Sequence, residues 1–278
     1  MYKEQKFNTG ETNSELRQLY NPECSELRMS QLRMLEILDY ISDLCEKNGL
    51  RYWLCAGTLL GAYRHGGFIP WDDDLDIEMP IEDMLKLKKI IIESNNDGFS
   101  WQDSSTDKYY LYSYPKVKDM YSICYPTNKN QKEMTLWKYK GLWVDIFPLE
   151  NHSLLFQKIG FYTNSYGRSY FNSSNIIINS LAHFRIKINN YIIFPFLRLV
   201  NKLWGSKKYY HKSLGCEYFY SQEIKNIFPL KKIEFEGKYY NAPFSIETHL
   251  KEFYGDNFME LPPQKKRSTH NMTVKFLK

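Results

Sequence analysis

An α+β fold, a mixed β-sheet backed by helices with a mainly helical region set into it, is what this 278-residue sequence predicts. Three observations carry the prediction. Helical periodicity alternates with strand-like runs through the first half of the chain. An apolar fraction of 43% is enough for a substantial core. Beyond Asn151 the strand pattern gives way to helix and loop, until a hairpin and a helix close the chain. The organisation expected is a polar N-terminal lead (1–24), a central unit (25–150), a mainly helical basic region (151–230) and a C-terminal hairpin, helix and tail (231–278) that completes the domain.

Each element follows from local pattern. Ser25 to Asn48 places Leu27, Leu32, Leu35, Leu38, Ile41 and Leu44 at helical spacing, and Gly49 stands where a left-handed residue ends a helix. Leu50 to Cys55 reads as a short strand. Gly57-Thr58 then opens a helical turn, Leu59 to Arg64, whose free backbone N–H groups point back toward the glycine. His65 to Trp71 is a glycine-rich loop, Leu75 to Met79 alternates as a strand stopped by Pro80, and Ile81 to Ser94 is helical. Strands are expected over Phe99–Gln102, Tyr109–Val117, Tyr121–Tyr125 and Leu142–Phe147. Residues 151–228 read as mainly helix and loop. Ile233 to Tyr240 forms a hairpin around Glu236-Gly237, and Ile246 to Tyr254 a helix ended by Gly255.

Composition narrows the function classes. The first residues are polar, with neither a secretory signal nor a transit peptide, so a cytoplasmic protein is expected. Five cysteines, odd in number and without a Cys-x-x-Cys pair, argue against a disulfide framework and against zinc. The net charge of +5 is unevenly placed: no Asp or Glu occurs from Asn151 to Cys216, where nine Lys and Arg residues lie. Within that region the apolar run Tyr191 to Val200 is too short to span a bilayer. With its basic flanks, residues 185–212 have two readings, a buried helix or a peripheral contact with an anionic membrane face. No base-reading module accompanies the positive charge, so nucleic acid is not an expected partner.

The chemistry concentrates in Asp72-Asp73-Asp74-Leu75-Asp76, four carboxylates in five positions where a loop enters a strand. On an extended chain Asp74 and Asp76 share a face, and Asp72 joins them if the extension begins early. Carboxylates gathered so closely repel one another unless a cation is bound, and hard oxygen ligands favour Mg²⁺ or Mn²⁺. A solvated acidic loop is the plain alternative; the apolar neighbours Ile69, Trp71, Leu75, Ile77 and Met79 argue against it. A calcium loop of the EF-hand kind fails, since Ile77 stands at its glycine position and Asp83 at its terminal glutamate.

Gly57-Thr58, the pair Asp74-x-Asp76 and a third acid, Asp145 in Gly141-Leu142-Trp143-Val144-Asp145-Ile146-Phe147-Pro148, together resemble the nucleotidyltransferase superfamily. The longer string from Ala56 to Asp76, AGTLLGAYRHGGFIPWDDDLD, resembles the LicD family, which includes the fukutin relatives. The likeness runs from about Met29 to Asp145 and resumes over Asn241 to His270. It implies a nucleotidyltransferase-like sheet and transfer of a phosphorylated alcohol, phosphocholine above all, from a CDP-activated donor to a hydroxyl of a cell-surface glycan. That glycan would be a lipopolysaccharide, a teichoic acid or a capsule, in some cases lipid-linked. The resemblance also implies that Asp74, Asp76 and Asp145 bind metal, with Asp72 nearby, and that Gly57 and Thr58 approach the donor phosphates.

Around those acids, positive groups are needed for the transferred phosphoryl oxygens. Arg64, His65 and Lys116 are the candidates, and His270 a fourth, each with a plainer reading as a helix-end cation, a loop hydrogen-bonder, a solvated strand residue or a surface histidine. Trp71 and Trp143 border the acids either as core residues or as faces for a quaternary ammonium. Nucleotidyl transfer with release of pyrophosphate is the enzymatic alternative, because one metal scaffold serves both reactions. A nucleotide-sensing or glycan-binding protein with a dead site is the non-enzymatic one.

Overall fold

The computed structural model describes residues 4–127, 134–171, 176–204, 208–267 and 272–277. Its first elements are α1 (Asn13–Tyr20), α2 (Glu26–Asn48), β1 (Trp53–Leu54), α3 (Ala56–His65), β2 (Asp76–Pro80) and α4 (Ile81–Glu93). The polar N-terminal lead contains a helix, α1. Thr12 and Glu15 form a reciprocal capping box that starts α1, and Leu16 anchors that helix in the core with no exposed surface. Ser25 caps α2 by accepting from the Arg28 amide (3.1 Å), and Gly49 ends it at φ 62°.

The central sheet continues with β3 (Phe99–Gln102), β4 (Lys116–Asp119) and β6 (Trp143–Glu150), in the order β1-β2-β6-β4-β3; between β4 and β6 in sequence lies β5 (Ser122–Pro126). The β2–β6 pair is parallel and the other pairs are antiparallel. Beneath it the apolar faces of α2, α3 and α4 meet Leu54, Ile77, Val144 and Ile146 in one cluster. The strand expected over Tyr109–Val117 begins only at Lys116. Upstream, Tyr110, Tyr112, Tyr114 and Trp137 gather ring against ring, and the Tyr110 hydroxyl donates to the Tyr114 carbonyl at 2.6 Å, which curls the segment out of extended conformation.

Past β6 come α5 (Leu154–Phe171), α6 (Ile176–Ile188), a π-helical turn (Asn189–Ile193) and α7 (Phe194–Trp204). The wide turn directly precedes Pro195, which has no amide to donate and a ring that crowds the preceding turn. The region is not helical throughout. β7 (Tyr209–Lys212) and β8 (Ser221–Glu223) extend the central sheet, with β7 pairing at Leu149 and Glu150 on the edge of β6 that β4 leaves free. Arg198 of α7 donates twice to Glu150 (2.6 and 2.9 Å), which fixes the helices to the end of β6.

After α8 (Ile224–Ile227), β9 (Lys231–Phe235) and β10 (Lys238–Ala242) form the expected hairpin, and α9 (Ile246–Tyr254) ends at Gly255. β11 (Met272–Phe276) pairs with β5 as a separate ribbon. Glu236, at the hairpin turn, accepts from Arg17, Arg28 and the Phe68 amide, joining α1, α2 and the glycine-rich loop. Among the described residues, no helix is long and apolar enough to cross a membrane.

Candidate active site

Parallel pairing of β2 with β6 sets Asp76 directly beside Asp145, and antiparallel pairing of β4 sets Lys116 beside Asp145 on its other side. Cross-strand neighbours share a face. One row across three strands therefore reads Asp76, Asp145, Lys116, and Lys116 donates to Asp145 in a buried ion pair. The second oxygen of Asp145 accepts from Trp143 Nε1 at 3.0 Å. That indole lies under two cations, Lys116 Nζ 4.4 Å and Lys118 Nζ 3.9 Å from its ring centre, so its face is already engaged. Lys118, wholly buried, is pushed down to about 7 by that burial.

Two residues further along β2, the same face carries Glu78. Its carboxylate accepts from Trp53 (2.8 Å), Tyr220 (2.7 Å), Gln222 (2.8 Å) and Lys212 (2.7 Å). Burial alone would raise its pKa; the Lys212 charge and these hydrogen bonds outweigh it and hold Glu78 at about 2. Lys212 stays charged through the same pairing and stands 3.8 Å from the centre of the Phe147 ring.

A cavity of about 380 Å³ opens over this face, lined by Asp74, Asp76, Asp145, Lys116 and Lys212. Its remaining wall is largely aromatic: Tyr114, Trp143, Phe147, Tyr218, Tyr220, Phe253 and Tyr254. Ala56, at its edge, is held at φ 46°, a left-handed conformation that costs a residue with a Cβ on the order of 1–3 kcal/mol. Thr58 does not line the cavity; its hydroxyl accepts from the Asp76 amide at 2.8 Å and fixes the start of β2. Gly57 is a close approach, since a Cβ there would lie 2.8 Å from Asp72 Oδ2.

The acids carry more negative charge than their surroundings compensate. Burial, then the charges of Asp74, Asp76 and Asp73, raise the Asp72 carboxyl well above the usual range; burial, then Asp74 and Asp145, do the same to Asp76. Such a set of hard oxygens fits a divalent cation. Among the described residues, no three of His, Cys, Asp or Glu are already closed to ligand distance. Asp145, meanwhile, is engaged by Lys116 and Trp143.

The family model for LicD/FKTN/FKRP, nucleotidyltransferase domain, matches residues 49–150, and those residues include the four clustered aspartates, Lys116 and Asp145. Residues 49–150 thus form a domain of the LicD type. The chain is similar to the lipopolysaccharide cholinephosphotransferase LicD of Haemophilus influenzae, 28% identical over 90% of this chain and 98% of that one. It is also similar to human ribitol 5-phosphate transferase FKRP, 29% identical over 40% of this chain and 22% of FKRP. Mannosyltransferase regulator 4 of Saccharomyces cerevisiae is 27% identical over 54% of this chain and 12% of its own length.

Within this LicD-type domain, Asp74, Asp76, Asp145 and Lys116 meet at the cavity, whereas Arg64 and His65 do not line it. Arg64 donates to the carbonyls of Phe258 (2.9 Å) and Glu260 (3.1 Å) and to His65 Nε2 (2.9 Å). That leaves His65 Nδ1 to donate to Asn13 Oδ1. Burial pushes Arg64 down to about 10, and burial with the Arg64 charge keeps His65 neutral. Both tie the end of α3 to α1 and to the C-terminal segment. Trp71 is buried against Tyr20 and Arg267 in the core. His270 lies outside the described residues. Glu78, Lys212 and Tyr220 were not evident from sequence. The alternation of β2 marks Glu78 as facing the same way as Asp76, but no sequence signal joins it to a lysine in β7.

Proposed function

We propose that this chain transfers a phosphorylated alcohol, phosphocholine in the first instance, from a CDP-activated donor to a hydroxyl of a cell-surface glycan. The observation that carries the reading is the end-to-end likeness to the Haemophilus cholinephosphotransferase combined with the Asp76–Asp145–Lys116 row. Asp74, Asp76 and Asp145, with Asp72 behind them, would hold Mg²⁺ or Mn²⁺. Bound there, the metal supplies charge stabilisation to the attacking and leaving oxygens of an in-line displacement.

The chain's own groups do the remaining work. Lys116 and Lys212 line the cavity together with the carboxylates and present positive charge suited to the phosphoryl oxygens as negative charge gathers on them. The aromatic wall gives a pyrimidine base faces to stack on and keeps water from the anhydride. Asp145, whose ion-pair partner is Lys116, would accept the proton of the acceptor hydroxyl once that lysine turns to phosphate. The acceptor, on this reading, is a lipopolysaccharide, a teichoic acid or a capsular glycan, whether free or lipid-linked. Since the matched domain is described as a nucleotidyltransferase, transfer of a nucleotide with release of pyrophosphate is the second reading.

A panel of CDP-alcohols (choline, ethanolamine, ribitol), each incubated with the protein, Mg²⁺ and a glycan acceptor, separates these. CMP released together with label on the glycan supports the phosphotransferase. Pyrophosphate from a nucleoside triphosphate, with every CDP-alcohol inert, would establish the second reading in its place.

A further inference from the structure

We infer that the outer face of α6, the π-helical turn and α7 is a docking surface for an anionic lipid bilayer. Along these elements Leu181, Phe184, Ile192, Phe196, Leu199 and Leu203 are each 61–74% exposed. Their spacing of three, four or eight residues places them on one side, opposite Ile186, Asn189 and Phe194, which are buried against the body of the protein. Single exposed apolar residues are ordinary, but a stripe of six on consecutive helices marks a surface that is covered in use.

Charge selects the occupant. Lys187 and Lys202 flank the stripe and are exposed, and no Asp or Glu lies between Asn151 and Cys216. Arg198, the cation between them, is turned inward onto Glu150. A second copy meeting this face by twofold symmetry would set lysine against lysine, with no carboxylate in the region to separate them. A bilayer rich in anionic lipid instead complements both features, apolar side chains entering the acyl boundary and lysines meeting headgroups. Since none of the described helices can cross the membrane, the surface lies on the bilayer and does not span it.

The Arg198–Glu150 clamp joins this surface to the last residue of β6, five positions from Asp145, or about 17 Å of strand. Docking would therefore hold the cavity within reach of an acceptor borne by the same membrane. The inference goes beyond the transferase reading and stands on exposure and charge alone.

Sedimentation of the full chain with vesicles tests it, using phosphatidylcholine alone or with about one-third phosphatidylglycerol. The chain is expected on the anionic vesicles and released by about 0.5 M salt. Phe196→Asp with Leu199→Asp, and separately Lys187→Glu with Lys202→Glu, each weaken binding by about tenfold or more, with the thermal unfolding curve unchanged. Equal partitioning to both vesicle types overturns the inference, as does binding that survives the lysine variant, whose exposed positions leave the fold intact if the apolar variant does not. A dimer that the apolar variant dissociates, without vesicle binding, assigns the face to a second copy. Turnover on a water-soluble acceptor stays at the wild-type rate in both variants, so failure here is distinguishable from failure of the transferase reading.

Discussion

Thr58 holds the Asp76 amide and strand register sets Asp76 beside Asp145, while burial and then the Asp74 charge disfavour its ionised carboxyl. Asp76→Asn removes a ligand oxygen and a repelled charge at once. Turnover should fall by about a thousandfold or more, of the size lost when a charge-stabilising group is removed from an active site. The melting temperature should stay at or above that of the native chain, because the lost carboxyl is one that burial disfavours. A variant that unfolds instead would place Asp76 in the scaffold and not in the chemistry. Thr58 offers a complementary case. Thr58→Val leaves the buried Asp76 amide unpaired, at a cost of about 1–3 kcal/mol, and lowers kcat with it, whereas Thr58→Ser retains both. Equal behaviour of the two variants in denaturant titration and in kcat would remove Thr58 from that role.

Among elements, α3 and the glycine-rich loop show how closely backbone must pack to bring the acids into place. A Cβ at Gly61 would meet the Gly67 carbonyl at 2.5 Å, so Gly61→Ala forces α3 and the loop apart and should cost about 1–3 kcal/mol by denaturant melt; an unchanged midpoint would mean that the loop gives way freely. The pairing of β7 with the rest of the sheet is tested through charge. Lys212→Met strips the buried Glu78 of its counter-charge and leaves it only the neutral donors Trp53, Tyr220 and Gln222, a loss of about 3–5 kcal/mol, and adding Glu78→Gln should restore much of it. Additive losses in the double variant would show that the two side chains are not coupled.

These elements also show what was legible beforehand. The ends of α2 were readable because Ser25 and Gly49 are local signals, and Asp74 with Asp76 because alternation is local too. Lys116 stood out from alternation on its own strand, but its place beside Asp145, 29 residues away, comes from strand register that no local signal gives. β7 and β8 were hidden in a basic stretch whose partner groups, Glu78 and Glu150, lie far upstream. Arg64 and His65 looked like phosphate-binding groups from their position between the Gly-Thr turn and the acids, and only the placement of α1 and Phe258 to Glu260 shows them tied to other segments. The capping box at Thr12 and the helical spacing of Leu16, Leu19 and Tyr20 could have marked α1, but so short a helix inside a polar segment is easily passed over.

Across the whole molecule, protonation is a hazard that the fold carries in its histidines. Burial lowers both His65 and His249; the Arg64 charge adds to it at His65, while at His249 the Glu78 carboxylate opposes it and the Lys212 charge adds to it. Their folded pKa lies below the unfolded value of about 6.5, so below that pH the unfolded chain takes up protons the folded one refuses. The contribution of these histidines should therefore be full above about pH 7 and fall as pH drops through 6 toward 5, by up to about 1.4 kcal/mol per pH unit for each, while the raised carboxyls of Asp72 and Asp76 act in the opposite sense. The histidine part is read as the difference in denaturation midpoint between the native chain and His65→Gln, and a difference that does not change from pH 7 to pH 5 would contradict this.

At the same scale, the central claim is that β2, β4 and β6 bring together a site that moves a phosphorylated alcohol. Release of CMP from CDP-choline, with Mg²⁺ and a glycan acceptor, compared between the native chain and Asp145→Asn, tests it most directly. The account predicts CMP formed in step with phosphocholine on the glycan, and a loss of both by about a thousandfold in the variant whose fold is retained. CMP release undiminished by Asp145→Asn, or no transfer from any CDP-alcohol by the folded native chain, would contradict it.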